Sequence, residues 1–514
     1  MPSSRPIVLS CAVVAAMLMP ATGAVAADGA RKGPSTTKKP YVLPVAEGVE
    51  TTSLLTVGDK PASNGYRMVG IPDGLGAFRS GRNFEVFMNH ELGPMVGIER
   101  RHGQKGAFVS NMTIDRRTLE VKTGRDLINP TTKFWDYPSQ TYRSTPSTGA
   151  LNPRNPGDTF AAQTPAFARF CSATLTALGQ LYSRNTNRGY VGRIFFGNEG
   201  RAFGITEDGQ AQQLPRLGLF SWENTIPAAN RSARTLVQGQ EDNADGQIWT
   251  YVGTKRRTGS AFDRAGLTNG SLNVIDAVDE TVSTESQFRT TYGTGTPAEI
   301  DLSNVDWDQS GASANREAKA DGLTLTRIED GHWDPENRND FYFLTTEGGD
   351  KTPRPGTTSS RDGGGLWRLS YEDIEHPELG GTLTLLLDGT EAPYLNKPDN
   401  MTIDDDGNLL IQEDPGTNPQ LARIVAYDIQ TGRRGVLAEF DPALFAPATP
   451  GGTDAVITTD EESSGIIDTS DFLDDGTFLF DAQVHKANAD PELVEEGQLL
   501  LLEVDSFRRV YDIR

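Results

Sequence analysis

The sequence predicts an all-β fold, a β-propeller with long surface loops, and three observations carry that prediction. Short apolar runs alternate with polar turns from about residue 41 onward. The turns share one chemistry, Asp or Asn followed closely by glycine. Long helix candidates are scarce, in a 514-residue chain that holds 54 glycines and only 36% hydrophobic residues, a balance suited to many turns and short strands.

Before the first strand the chain reads as an export segment. Arg5 gives a positive start, Ile7 to Met19 an apolar run, and Ala24-Val25-Ala26 a small-x-small cleavage pattern, so residues 1–26 are expected to be a signal peptide. No paired arginine precedes the run, which suits general secretion, and the destination is secreted or periplasmic. Neither this run nor any later one is long enough to cross a bilayer. Residues 27–40, rich in Lys, Gly, Ser, Thr and Pro, are expected to be a flexible leader, and residues 41–514 a single propeller domain.

The strands follow in order: Phe84 to Met88, Arg193 to Phe196, Ile248 to Val252, Asp340 to Leu344 and Gly365 to Leu369 all have strand length and aromatic or β-branched content. Hairpin turns are read at Glu207-Asp208-Gly209, Asp404-Asp405-Asp406-Gly407, Gln430-Thr431-Gly432 and Asp474-Asp475-Gly476, where glycine supplies positive φ. A ring takes up such hairpins as one domain, whereas a parallel β-helix would show tighter periodicity. Residues 130–168 and 350–364, rich in Pro, Gly, Ser and Thr, read as long surface loops.

Charge and cysteine usage narrow the function. Acidic residues outnumber basic ones 70 to 48, a net charge of -22, which disfavours nucleic acid and suits oxygen-seeking cations such as calcium. Once Cys11 leaves with the signal peptide, Cys171 is the remaining cysteine and no internal disulfide is available. It is read either as a small buried hydrophobe or as a thiolate that binds metal or attacks substrate. A monomer acting on a small molecule is expected.

Five histidines show no zinc spacing, and neither a nucleophile elbow nor a phosphate-cradling glycine loop is present, so the chemistry rests on carboxylates at strand ends. Asn89-His90-Glu91, Asn198-Glu199 and Trp222-Glu223-Asn224 each follow aromatic residues, and Glu241-Asp242 precedes the strand at Ile248. In Arg327-Ile328-Glu329 the two charged side chains share one face of an extended segment. Pro398-Asp399-Asn400 and Gln412-Glu413-Asp414 flank a hairpin. Propeller strands converge on an axis, and carboxylates gathered there repel unless a cation neutralises them.

The order of these motifs resembles the PhoX-type alkaline phosphatases, secreted six-bladed propellers that use calcium together with iron. The similarity spans roughly residues 60–485. It implies Cys171 as an iron thiolate ligand and Glu91, Glu199, Glu223, Glu329 and Asp399 as carboxylate ligands for iron or calcium. It also implies Arg327 and Glu329 as catalytic residues, with Arg327 clamping the phosphate of a small phosphomonoester. This sequence departs from the family where Cys171-Ser172-Ala173-Thr174 stands for Cys-Ala-Gly-Gly, where Ile328 stands for proline, and in lacking a twin-arginine signal. Two other readings remain open: a calcium-dependent lactonase or phosphotriesterase, and a non-catalytic extracellular propeller held together by calcium.

Overall fold

The computed structural model describes residues 29–60, 62–354, 360–417, 420–448 and 454–511, and the expected signal peptide lies outside them. The expected free leader is docked instead. Strand β1 (Ala30–Lys32) pairs in parallel with β3 (Val49–Thr56), and the buried Thr36 hydroxyl lies 2.8 Å from that of Thr56. Its polar composition looked unstructured, but an unpaired outer strand edge accepts any backbone that can hydrogen-bond to it.

Beyond β2 (Val42–Pro44), the strands form antiparallel meanders. The first is β4 (Pro72–Ser80), β5 (Asn83–His90), β6 (Phe108–Asp115) and β7 (Val121–Asp126). The second is β8 (Ala173–Leu175), β9 (Ile194–Asn198), β10 (Ala202–Thr206) and β11 (Ala211–Gln213). A nine-stranded sheet then joins two units edge to edge. Strands β12 (Trp222–Pro227), β13 (Arg234–Glu241), β14 (Ile248–Thr254), β15 (Ser271–Ala277) and β16 (Ala298–Val305) make one unit. Strands β17 (Ile328–Trp333), β18 (Asp340–Thr345), β19 (Gly365–Tyr371) and β20 (Gly381–Leu387) make the other, with Ala298–Ile300 of β16 paired to Gly381–Leu383 of β20.

The fifth meander is β21 (Pro398–Ile403), β22 (Asn408–Glu413), β23 (Arg423–Asp428) and β24 (Arg434–Phe440), completed by β2. The last is β25 (Glu461–Asp468), β26 (Thr477–Ala487) and β27 (Glu495–Val504), completed by β3, so the N-terminal strand closes the C-terminal unit. Strands β4, β8, β12, β17, β21 and β25 abut in that order and close on themselves, which makes the fold a β-propeller.

Strands buried on both faces explain the continuous apolar runs. Phe195 packs toward the first meander and Phe196 toward the third. Leu409 and Ile411 face the fourth meander, while Leu410 between them faces the sixth. Period-two alternation thus sends neighbouring side chains into two different cores.

Two helices matter to the site, α1 (Glu285–Thr291) and α2 (Gly311–Asp321). The excursion between β7 and β8 carries two short hairpins and is pinned to α2, because Asp158 accepts from Ser310 N at 2.9 Å and from Ser313 Oγ at 2.8 Å.

Candidate functional site

Every innermost strand starts on one face of the ring, and each brings a ligand-type side chain to it. Asp73, Glu223, Glu329, Asp399 and Glu462 are the second residues of β4, β12, β17, β21 and β25, and Cys171 stands two residues ahead of β8. The backbone repeats as well. Four of these side chains follow an apolar residue that itself follows a non-glycine residue with positive φ: Ile71 (52°), Arg169 (52°), Arg327 (51°) and Lys397 (49°). Such conformations cost about 1–3 kcal/mol each and persist where surrounding packing imposes them. Register breaks between Pro72 and Leu75, Trp222 and Asn224, Ile328 and Gly331, and Pro398 and Met401 mark bulges at the acids. A bulge re-aims side chains that a regular strand would send into the core.

The ends of the second strands add an outer set. Glu91 follows β5 and Asp242 follows β13, which yields two groups, Asp73–Glu91–Cys171 and Glu223–Asp242–Glu329, each with ligand atoms within 4.8 Å of one another. Cys171 Sγ lies 3.5 Å from Glu91 Oε1. Asp399 and Glu462 continue the ring between the two groups, with Asp414 beside both. Beneath the acids an axial polar network fixes the spacing. Ser464 Oγ donates within 2.9 Å of Asp73 Oδ1 and lies 2.8 Å from both Asn400 Oδ1 and Glu462 Oε1. Asn400 donates to Ser172 Oγ, and Asn224 Nδ2 donates to Asp330 Oδ1 at 2.8 Å.

Arg327 rises at the rim. Its Nε and Nη2 donate to the two oxygens of Asp242 at 2.8 and 3.0 Å, and Nη2 lies 3.2 Å from Glu329 Oε1. Helix α1 braces the turn below, where Glu285 Oε2 accepts from Thr326 N at 2.7 Å and Glu285 Oε1 binds Arg289 Nε at 2.9 Å. On the far side His485 Nδ1 meets Glu495 Oε2 at 2.8 Å, with Nε2 4.0 Å from Glu462.

The electrostatics follow from burial and crowding. Burial, then Asp242, pushes Glu223 up to about 8; burial, then Asp414, pushes Glu462 up to about 7. Asp73, Glu329 and Asp399 are raised by burial first and by neighbouring carboxylates second. Burial, with Glu91, Glu223 and Asp73, raises the Cys171 thiol.

A sequence model described as Alkaline phosphatase PhoX matches residues 206–461. The chain belongs to the PhoX family. The Pseudomonas fluorescens PhoX, solved in complex with vanadate, a transition state analogue, is 12% identical, with a TM-score of 0.59 over 90% of this chain and 97% of that one. The α-L-arabinofuranosidase PaAbf62A from Podospora anserina is 9% identical, covering 89% of this chain and 97% of that one, at a TM-score of only 0.30. No curated protein sequence matches the chain.

In this PhoX-family chain the expected residues Cys171, Glu223, Glu329 and Asp399 all lie on the inner ring, with Glu91 and Arg327 just outside it. Glu199 does not join them. Its carboxylate is bound by Arg201 Nε and Nη2 and by Ala168 N, and Arg201 in turn holds the carbonyls of Thr164 and Ala166 at 3.1 and 3.2 Å. The buried Glu199–Arg201 pair therefore anchors the segment that delivers Arg169 and Cys171. His90 is also turned away, stacked on Phe108 with Nε2 2.9 Å from Ser110 Oγ. Sequence reasoning passed over Asp73, Glu462 and Arg169. The signal was present, since Ile71-Pro72-Asp73 and Arg169-Phe170-Cys171 have the same form as Lys397-Pro398-Asp399 and Arg327-Ile328-Glu329.

The donor set fits cations. Five buried carboxylates and a thiol converge, and Glu329 Oε1, although 3.2 Å from Arg327 Nη2, accepts no hydrogen bond. Oxygen-rich groups of this kind suit calcium, and a thiolate among them suits a softer metal such as iron.

Proposed function

We propose that this chain is an exported, metal-dependent alkaline phosphatase that hydrolyses small phosphate monoesters as a monomer. The observation that supports it most is the ring of one ligand-type side chain per meander with Arg327 standing at its rim. Asp73, Glu91, Cys171, Glu223, Asp242, Glu329 and Asp399 would hold calcium together with iron, Cys171 serving the iron. Metal bound there supplies Lewis-acid stabilisation of phosphoryl oxygens and lowers the pKa of an attacking oxygen.

The chain's own residues do the rest. Arg327 presents a planar fork to phosphoryl oxygens, and Asp242, bound to two of its nitrogens, fixes the orientation of that fork. Glu329 beside it links the clamp to the ligand ring, so substrate is positioned relative to the metal-holding carboxylates. The axial serine and asparagine network keeps those carboxylates from relaxing apart, which is electrostatic preorganisation.

The test is hydrolysis of p-nitrophenyl phosphate at alkaline pH by protein secreted through its own signal peptide, with calcium or with a chelator. Calcium-dependent turnover is expected. Folded, calcium-binding protein that turns over no phosphomonoester would overturn the reading and favour the lactonase or the non-catalytic propeller.

A further inference from the structure

The repeated tripeptide at the strand starts places its positive-φ residue at an equivalent rim position in four of the six meanders, and those positions carry Ile71, Arg169, Arg327 and Lys397. Arg169 and Arg327 belong to the second and fourth meanders, so they flank Glu223 of the third from opposite sides. Their surroundings differ in a telling way. Arg327 is held by both oxygens of Asp242 and lies against Glu329, whereas Arg169 directs Nε and Nη2 at a single oxygen, Glu91 Oε1, at 2.9 and 2.8 Å. The Arg169 side chain is 72% exposed.

The Arg169 backbone is nonetheless firmly set. Its N donates to Leu92 O at 2.9 Å, the preceding residue is tied to Glu199, and Ala107 pairs with Phe167. A long exposed side chain on a fixed backbone, beside a ligand group, is a built rim feature rather than a loop excursion. Its present partner is itself a member of the Asp73–Glu91–Cys171 group. A cation held there draws on the same Glu91 oxygen that now binds the guanidinium, and opposes a positive charge so close by.

We propose that Arg169 is a second phosphate clamp, opposite Arg327, which exchanges Glu91 for phosphoryl oxygens when cations fill the adjoining group. This rests on the phosphatase reading given above. With both arginines engaged, a dianionic phosphate is gripped from two sides while its remaining oxygens face the ring, and the grip selects terminal phosphate over a neutral or singly charged ester.

The test uses Arg169→Asn, since Asn tolerates positive φ, and Arg169→Lys, which keeps the charge. Each is compared with wild type for inorganic phosphate binding to calcium-loaded protein by calorimetry, and for KM and kcat on p-nitrophenyl phosphate. Arg169→Asn is expected to weaken phosphate binding and raise KM about 10- to 100-fold, the loss of one or two charge-assisted hydrogen bonds. Its calcium content and melting temperature should be unchanged, and Arg169→Lys should recover part of the loss. Wild-type phosphate affinity in Arg169→Asn, or loss of bound metal in it, overturns the proposal. A wild-type protein that binds phosphate but hydrolyses no ester defeats the phosphatase reading instead, and phosphate affinity still decides the role of Arg169.

Discussion

Removing cations should make this fold less stable as pH rises from 6.5 to 8.5, the reverse of what ordinary carboxylates do. Glu223 is pushed up to about 8 and Glu462 to about 7, whereas an unfolded glutamate titrates near ~4.3. A folded pKa above the unfolded one means the fold holds protons that the unfolded chain has released, so stability is full at low pH and falls until the folded pKa is passed. Above pH 6.5, Glu223 contributes about 1.5 further pH units of loss and Glu462 about 0.5, together about 3 kcal/mol. Asp73, Glu329 and Asp399 act in the same direction. So does His485, which Glu462 and Glu495 keep protonated up to about 11. His90 and His102, which burial lowers to about 3 and about 4, act the other way, but above pH 6.5 only the remaining half-protonation of their unfolded forms counts, about 0.8 kcal/mol for the two. In a chain this long each kcal/mol moves the melting midpoint by about 1 °C. Differential scanning fluorimetry in chelator should therefore show a fall of at least about 3 °C across the window, removed by millimolar calcium. A chelated protein whose midpoint holds or rises, or a fall that calcium leaves untouched, refutes the crowded-ring account.

Further outcomes follow from individual residues. Arg327→Ala should lower kcat/KM by about 100-fold with the fold intact, because a bidentate charge-assisted contact worth about 3 kcal/mol is lost; steady-state kinetics and a melting curve check both halves. Asp73→Asn should reduce bound calcium measured by elemental analysis, since Asp73, the second residue of β4, belongs to the first ligand group. Cys171→Ser should lower iron content without lowering calcium content by more than one equivalent. Glu199→Gln should lower stability by about 3–5 kcal/mol, read by denaturant unfolding, because it strands buried Arg201; equal metal content in wild type and variant is the expected companion result.

Much of this was legible in the residues, for reasons that can be named. The glycine hairpins announced themselves because Gly209, Gly407, Gly432 and Gly476 adopt positive φ, at 87°, 81°, 69° and 72°. Runs such as Leu409-Leu410-Ile411 read as strands, but only the packing shows that they feed two cores. The ligand ring was two-thirds visible: Cys171, Glu223, Glu329 and Asp399 were read as ligands, whereas Asp73, in a tripeptide of the same form as Lys397-Pro398-Asp399, was passed over and Glu462 has no such tripeptide, so it gains meaning only when six strand starts meet. Glu199 misled because Arg201 two residues on points to the same side and takes its charge, a contact that no spacing rule separates from a metal ligand. The leader misled by composition, since nothing in Lys, Ser and Thr reveals that β3 offers an edge.

The closure of the ring by its own N-terminus bears on how the protein comes into being. Strand β3 waits for β27, which is made some 440 residues later, and until they join the first and last meanders are not neighbours. Ser464 of the last meander bonds Asp73 of the first across that seam, at 2.9 Å. The acid ring is thus a latch between the two ends of the chain: half-made chains, or chains clipped near residue 50, would carry scattered acids with no shared geometry. The ring of acids is complete only in molecules whose two ends have found each other.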